Sequence, residues 1–254
     1  MIRVAVVGAA GRMGQVMAGG LGREDDLDVR VLIDVRDPAQ DFGAAVHRDI
    51  GEVDPADVDV VVDFSTPAGA AASARWCAQH GVGLVVGTTG LNDDERAALD
   101  AAAASTRVVT AANFALGAVL AERFAAMAAP YFERVEVIEL HHDLKVDAPS
   151  GTSLATAHAI AQSRRDAGRR AMHDPTLHHS VAGSRGAEVE GVRVHAVRLP
   201  GLVAHEEILF GGPGEGLTIR HDSYDRSSFV QGVVLALRAM GRTPGLTVGL
   251  STFL

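Results

Sequence analysis

Residues 2–7 (IRVAVV) form a near-continuous apolar run, the pattern of a parallel strand buried on both faces. The run leads into Gly8 and a glycine-punctuated turn to Gly14, followed by a helical stretch to about Leu21. VRVLID (29–34) and VDVVVDF (58–64) repeat the strand pattern, the second leading through Thr66 and Pro67 into an alanine-rich helix to about Gln79. VGLVVG (82–87) and RVVTA (107–111) add two more strands around a helix that opens at Asn92 with acids in its first turn. Strands alternating with helices predict a parallel sheet covered on both faces.

The texture changes after Asn113. A helix from about Phe114 to Ala129 stops at Pro130, and RVEVIEL (134–140) alternates apolar with polar residues, as a one-sided strand does. A second helix covers about Thr152 to Arg165. VRVHAVRL (192–199), VAHEEILF (203–210) and EGLTIRHD (215–222), joined by PG and GGPGEG turns, predict an antiparallel meander. Segment 164–190 has little periodicity and reads as long surface loops, and a last helix from about Ser227 to Met240 is long enough to pack back on the first domain. The expected architecture is α/β: a Rossmann-like parallel-sheet domain (1–113 plus about 223–254) and a smaller α+β domain with a mostly antiparallel sheet (114–222).

Composition narrows the partners. The 254 residues carry a formal charge of −9, which argues against a sequence-blind nucleic-acid surface. No stretch approaches 18 uninterrupted apolar residues, so no membrane span is expected. A single cysteine, Cys77, rules out an internal disulfide and a cysteine-based zinc site. With the start MIRVAVVG lacking secretory features, the expectation is a cytoplasmic protein. Of 23 basic residues only Lys145 is lysine. Codon bias accounts for the excess of arginine, but it makes the exception informative, because lysine can give up a proton and arginine cannot.

Two constellations carry chemistry. Gly8, Gly11 and Gly14 sit between a strand and a helix, where a side-chain-free turn lets a pyrophosphate rest on the helix N-terminus. Asp34 ends the next strand, placed to accept ribose hydroxyls, while Arg12 and Arg36 nearby could receive the 2′-phosphate of NADP, so the preference between NADH and NADPH stays open. FSTP (64–67), GTTG (87–90) and AANF (111–114) each follow a parallel strand, the ligand-binding edge of such sheets. The second constellation is HHDLKVDAPSGT, from His141 to Thr152. It joins a histidine pair and the lone lysine to a helix start at Ser150, Gly151 and Thr152, which suits a small carboxylate-bearing substrate that must be protonated. A metal role for His141 and His142 is unfavourable, because adjacent strand residues face opposite ways and no third ligand has telling spacing. His178 and His179 lack such company and read as surface residues.

VVGAAGRMG, DFSTP, GTTG, AANFALG and HHDLKVDAPSGT, in that order and over nearly the whole chain, resemble the dihydrodipicolinate (4-hydroxy-tetrahydrodipicolinate) reductase family. The resemblance implies that Gly8, Ala9, Ala10, Gly11, Arg12 and Met13 cradle NADH or NADPH and that Asp34 meets the adenosine ribose. Gly87, Thr88 and Thr89, with Ala111, Ala112, Asn113 and Phe114, would line the nicotinamide side. It implies His141 as acid–base, Lys145 as proton donor, His142 as a substrate contact, and Gly151 with Thr152 as a carboxylate cradle. A small dicarboxylate substrate and a homotetramer built through the second domain's sheet follow from the same resemblance. One departure is Ala115, where many members have serine. Two competing readings are another NAD(P)-dependent amino-acid or semialdehyde dehydrogenase, and a non-catalytic dinucleotide sensor.

Overall fold

The computed structural model describes residues 1–241 and 243–254. In chain order the elements are β1 (Ile2–Val7), α1 (Arg12–Leu21), β2 (Leu27–Ile33), β3 (Ala45–His47), β4 (Val60–Asp63), α2 (Pro67–His80), β5 (Gly83–Val86), α3 (Asp93–Ala103) and β6 (Arg107–Thr110). They continue with α4 (Leu116–Ala128), β7 (Arg134–His141), α5 (Gly151–Asp166), β8 (Ala187–Val189), β9 (Val192–Arg198), β10 (Ala204–Gly212), β11 (Glu215–Ser223), α6 (Val230–Ala239) and β12 (Gly245–Val248). The chain divides into two compact units, Met1–Ala115 with Arg226–Leu254, and Leu116–Asp225.

The first unit is a seven-stranded sheet in the order β12-β6-β5-β4-β1-β2-β3, with every pairing parallel. Its central strands are buried on both faces, as their unbroken apolar runs require: Val4, Ala5, Val61, Leu84 and Val85 have no exposed surface. The helix starts follow local capping rules. Thr66 accepts from Gly69 N–H with Pro67 at the first helical position of α2, and Asn92 with Glu95 forms a reciprocal capping box on α3. The last helix packs where its length suggested: Val230 at the start of α6 fills the space beside Gly20 of α1, where a Cβ would meet it at 2.6 Å.

The second unit places α4 and α5 on one face of a five-stranded sheet ordered β11-β10-β7-β9-β8. Val135 and Val137 of β7, Val194 of β9 and Ile208 of β10 join Ala121, Ala157 and Ile160 in its core. The sheet is mostly antiparallel, but the expected meander is corrected. β7 lies between β9 and β10, pairing parallel with β9 and antiparallel with β10. The PG turn after β9 therefore does not close a hairpin; Leu199 N–H bonds to His141 O, and the chain passes the end of β7 before returning as β10. Segment 164–190 is also only partly loop. The helix α5 runs through Asp166, Arg164 is buried and donates to Ala129 O at 2.8 Å and Phe132 O at 2.6 Å, and residues 187–189 form the edge strand β8.

Candidate active site

The glycine turn of the first unit is closed to side chains. Gly8 has φ +80°, and a Cβ there would lie 2.6 Å from Phe64 O, while one on Gly14 would lie 2.0 Å from Gly8 O. Strand, turn and helix are thus in backbone contact, with space for glycine alone. Gly11 precedes α1 with no side-chain capping bond, so no capping side chain takes up the amides of the first turn. Ala9 is fully buried and Ala10 N–H donates to Asp34 Oδ2 at 3.0 Å, tying the turn to the end of β2. The other Asp34 oxygen accepts Arg36 N–H at 3.0 Å, which leaves each oxygen a further lone pair. A cleft of about 340 Å³ beside these residues is lined by Gly8, Gly11, Asp34, Arg36, Arg48 and Phe64. These features fit an extended dinucleotide with its pyrophosphate on α1.

Phe64 explains why the next two motifs contain what they do. Its ring stands edge-on to Phe114 at 5.7 Å and fills the place a Cβ on Gly87 would take. Phe114 itself is only 1% exposed, so its side chain is core and only its backbone can face a ligand. Asn113 Oδ1 accepts Ala115 N–H at 2.8 Å and shapes the turn leaving β6. Thr88, Thr89, Ala111 and Ala112 line a second cleft of about 360 Å³ with Leu246 and Val248.

Asp63, which sequence reasoning passed over, joins two of these loops. Wholly buried at the end of β4, it accepts from Ser65 N–H and Oγ at 3.0 and 2.8 Å, Ser73 Oγ at 2.7 Å and Thr88 Oγ1 at 2.8 Å. The signal was an acid closing a run of four buried strand residues.

The second unit gathers the histidine–lysine segment. His141 ends β7 and its Nδ1 pairs with Glu139, a side chain with no exposed surface. His142 follows the strand and is half-buried; its carbonyl accepts Lys145 N–H at 3.2 Å, which curls the loop. Lys145 Nζ lies 2.7 and 2.9 Å from the carboxylate oxygens of Asp147, with its side chain 21% exposed. Ser150 caps α5 by accepting Ser153 N–H at 3.2 Å, and Gly151 begins the helix with nothing within 4 Å of where a Cβ would stand. Burial lowers the His141 pKa below the ordinary histidine value; Glu139 opposes it through its hydrogen bond and charge, and Lys145 and Arg198 add to the fall. The balance favours the neutral imidazole. His178 and His179 are exposed. Among the described residues no three His, Cys, Asp or Glu side chains gather to hold a metal, and no helix is long and apolar enough to cross a membrane.

Glu139, Arg198 and Glu206 are the other residues that sequence reasoning missed here. Their signal was the two-residue period: Glu139 shares a face with Val135 and Val137, and Glu206 with Ile208 and Phe210, so each puts an acid on a buried face. Glu206, directly opposite Glu139 in the β7–β10 register, is 4% exposed. One of its oxygens takes Thr156 Oγ1 at 2.9 Å and the other has no partner. Burial raises its pKa to about 7, with Thr156 opposing and Glu122 and Glu139 adding to the rise. A folded carboxyl that holds its proton more tightly than the unfolded one stabilises most below the unfolded value of 4.5, and that advantage disappears as pH rises to about 7. Thermal melts of Glu206→Gln and the parent are expected to diverge between these limits, the variant gaining on the order of 3 kcal/mol by pH 8. A gap that stays constant with pH would mean that Glu206 titrates as an ordinary surface acid.

A parallel α/β sheet with a glycine turn closed to side chains, and a separate unit carrying a histidine–lysine loop, define a nicotinamide-dinucleotide oxidoreductase. Comparison narrows the class. Residues 2–114 match the family model for the dihydrodipicolinate reductase N-terminus and residues 117–254 that for its C-terminus. The chain belongs to the dihydrodipicolinate reductase family. It is 49% identical to a 4-hydroxy-tetrahydrodipicolinate reductase of Nocardia farcinica (100% of this chain, 98% of that one) and 48% identical to one of Bifidobacterium animalis subsp. lactis (100% and 99%). A dipicolinate-bound dihydrodipicolinate reductase from Paenisporosarcina sp. TG-14 superimposes with a TM-score of 0.88 at 36% identity, covering all of both chains.

Proposed function

We propose that the protein reduces 4-hydroxy-tetrahydrodipicolinate to tetrahydrodipicolinate with NADH or NADPH, in lysine and diaminopimelate biosynthesis. The observation that carries this reading is the HHDLK loop, in which the lone lysine pairs with Asp147 within electrostatic reach of the half-buried His141 imidazole, in a family whose curated relatives carry that reductase name. Loss of water leaves a cyclic conjugated imine with two carboxylates; hydride adds at one end of the conjugated system and a proton at the other.

When bound, the reduced nicotinamide supplies the hydride. Gly8 to Met13 hold its pyrophosphate, Asp34 its adenosine ribose, and residues 87–89 and 111–114 its nicotinamide side. His142 and the amides of Gly151 and Thr152 meet the substrate carboxylates at the positive end of α5. The Lys145 ammonium offsets their charge and gives the one proton that completes the reduction, regaining it from solvent after turnover, while neutral His141 offers a lone pair at Nε2 that orders the reacting group. Asp147, more than half exposed, holds Lys145 between turnovers.

The second unit also mediates self-association to a homotetramer. Ile138, Leu140 and Leu209 stand on the face of the sheet away from α4 and α5, partly uncovered by their own chain. Localisation is cytoplasmic, in keeping with a lone buried cysteine. The test is cofactor oxidation, followed at the reduced-nicotinamide absorbance, with freshly generated 4-hydroxy-tetrahydrodipicolinate against a panel of oxo acids and semialdehydes. Turnover confined to the first compound is expected. Turnover confined to the panel would establish a different dehydrogenase, and nicotinamide binding without any turnover a sensor.

A further inference from the structure

The alternation that seats Val135 and Val137 in the core carries Glu139 to the same buried face, with His141 next along it. Both Glu139 oxygens are engaged. Oε1 accepts from Arg198 Nη2 at 2.7 Å and Ser150 N–H at 3.2 Å; Oε2 accepts from Arg198 Nη1 at 2.7 Å and pairs with His141 Nδ1. Arg198 is itself fixed, donating to Val197 O at 2.8 Å and Asp147 O at 2.7 Å. The carboxylate is therefore held by strand β9 and the start of α5, and it offers the imidazole one stationary acceptor.

We propose that Glu139 is the positioning residue for His141: it accepts the Nδ1 proton, fixes the neutral ring as the Nδ1–H tautomer and leaves the Nε2 lone pair to face the reacting molecule. An ionised carboxylate only accepts hydrogen bonds, so the ring nitrogen beside it must donate, and the proton on one nitrogen decides the role of the other. Burial pushes the Glu139 pKa up, but Arg198 and His141 together outweigh it and hold the group below the usual carboxylate range. Arg198 also pairs with this carboxylate at 2.7 Å and offsets part of its negative charge toward the ring. The other groups facing the pair are Lys145 and Asp147 on the loop and Glu206 on β10, the last with Thr156 of α5 and Glu122 of α4 around it. This role rests on reading His141 as an acid–base group.

The test begins without a mutation. Protein labelled with ¹⁵N-histidine is observed by two-bond proton–nitrogen correlation about one pH unit above the ordinary histidine pKa, with the His141 signals identified by their loss in His141→Asn. A proton on Nδ1 is expected; a wild-type ring protonated on Nε2 overturns the proposal. In Glu139→Gln the amide oxygen belongs with Arg198 and Ser150, which turns the amide N–H₂ toward the ring. The proton should then move to Nε2, and kcat should fall about 100-fold with little change in KM. Melting curves recorded alongside separate this from loss of fold, and an unchanged tautomer with unchanged kcat in the variant overturns the proposal. An Nδ1–H ring in a protein that turns over no 4-hydroxy-tetrahydrodipicolinate would uphold the positioning and overturn the assigned reaction.

Discussion

Lys145→Ala is expected to lower kcat by about 10²–10⁴ while NADH binds as tightly as before. The loss corresponds to about 3–5 kcal/mol of transition-state stabilisation. The fold should tolerate the change, because the partner left behind, Asp147, is more than half exposed and regains water. Lys145→Arg should be nearly as poor: the guanidinium preserves the charge but does not release a proton, and its planar fork replaces a compact ammonium. Steady-state kinetics and calorimetry with NADH check both halves. Near-parental turnover in Lys145→Ala would remove this residue from the chemistry.

Gly14→Ala is expected to abolish dinucleotide binding. Its Cβ would stand 2.0 Å from Gly8 O, 2.6 Å from Gly8 C and 2.7 Å from Ala9 Cα, all backbone atoms with no side chain to swing aside. α1 must then move off the turn, carrying its N-terminal amides away from the pyrophosphate. Overpacking of this kind costs about 1–3 kcal/mol or more, so a lowered Tm should accompany the lost affinity. Gly211→Ala, where nothing lies within 4 Å of the new Cβ, serves as the control and should change neither. Calorimetric titration with NADH at parental affinity in Gly14→Ala would show that the glycine turn is not the cradle.

The parts of the fold legible in the sequence are those whose surroundings are uniform. β1, β4 and β5 are buried on both faces and read as apolar runs, and the caps Thr66, Asn92 and Ser150 announce their helices. β3 and β12 were illegible for the complementary reason: each is a short strand at an edge of the sheet, paired on one side and largely exposed, so burial imposes no pattern on it. The order of β7, β9 and β10 was hidden because alternation fixes which face a residue takes but not which strand lies beside it.

The site divides along similar lines. Gly8, Asp34, His141 and Lys145 announce themselves by residue type and by place at the end of a strand or in a turn. Glu139 and Arg198 act through each other across 59 residues, and Asp63 ties its near neighbour Ser65 to Thr88, 25 residues on, pairings that no local pattern displays. For Glu139 the period-two count was sufficient to mark an anomaly, since an acid on a buried strand face requires a cation or donor to meet it. Its partners became visible only with the sheet assembled.

The most direct measurement of the central claim follows deuterium from cofactor to product. The protein is supplied with 4-hydroxy-tetrahydrodipicolinate and NADH deuterated at the transferable position of C4, and the tetrahydrodipicolinate formed is weighed by mass spectrometry. One deuterium per molecule of product, with one NADH consumed, is the expected result. Product free of deuterium, or no product while the cofactor stays bound and reduced, would contradict the assignment.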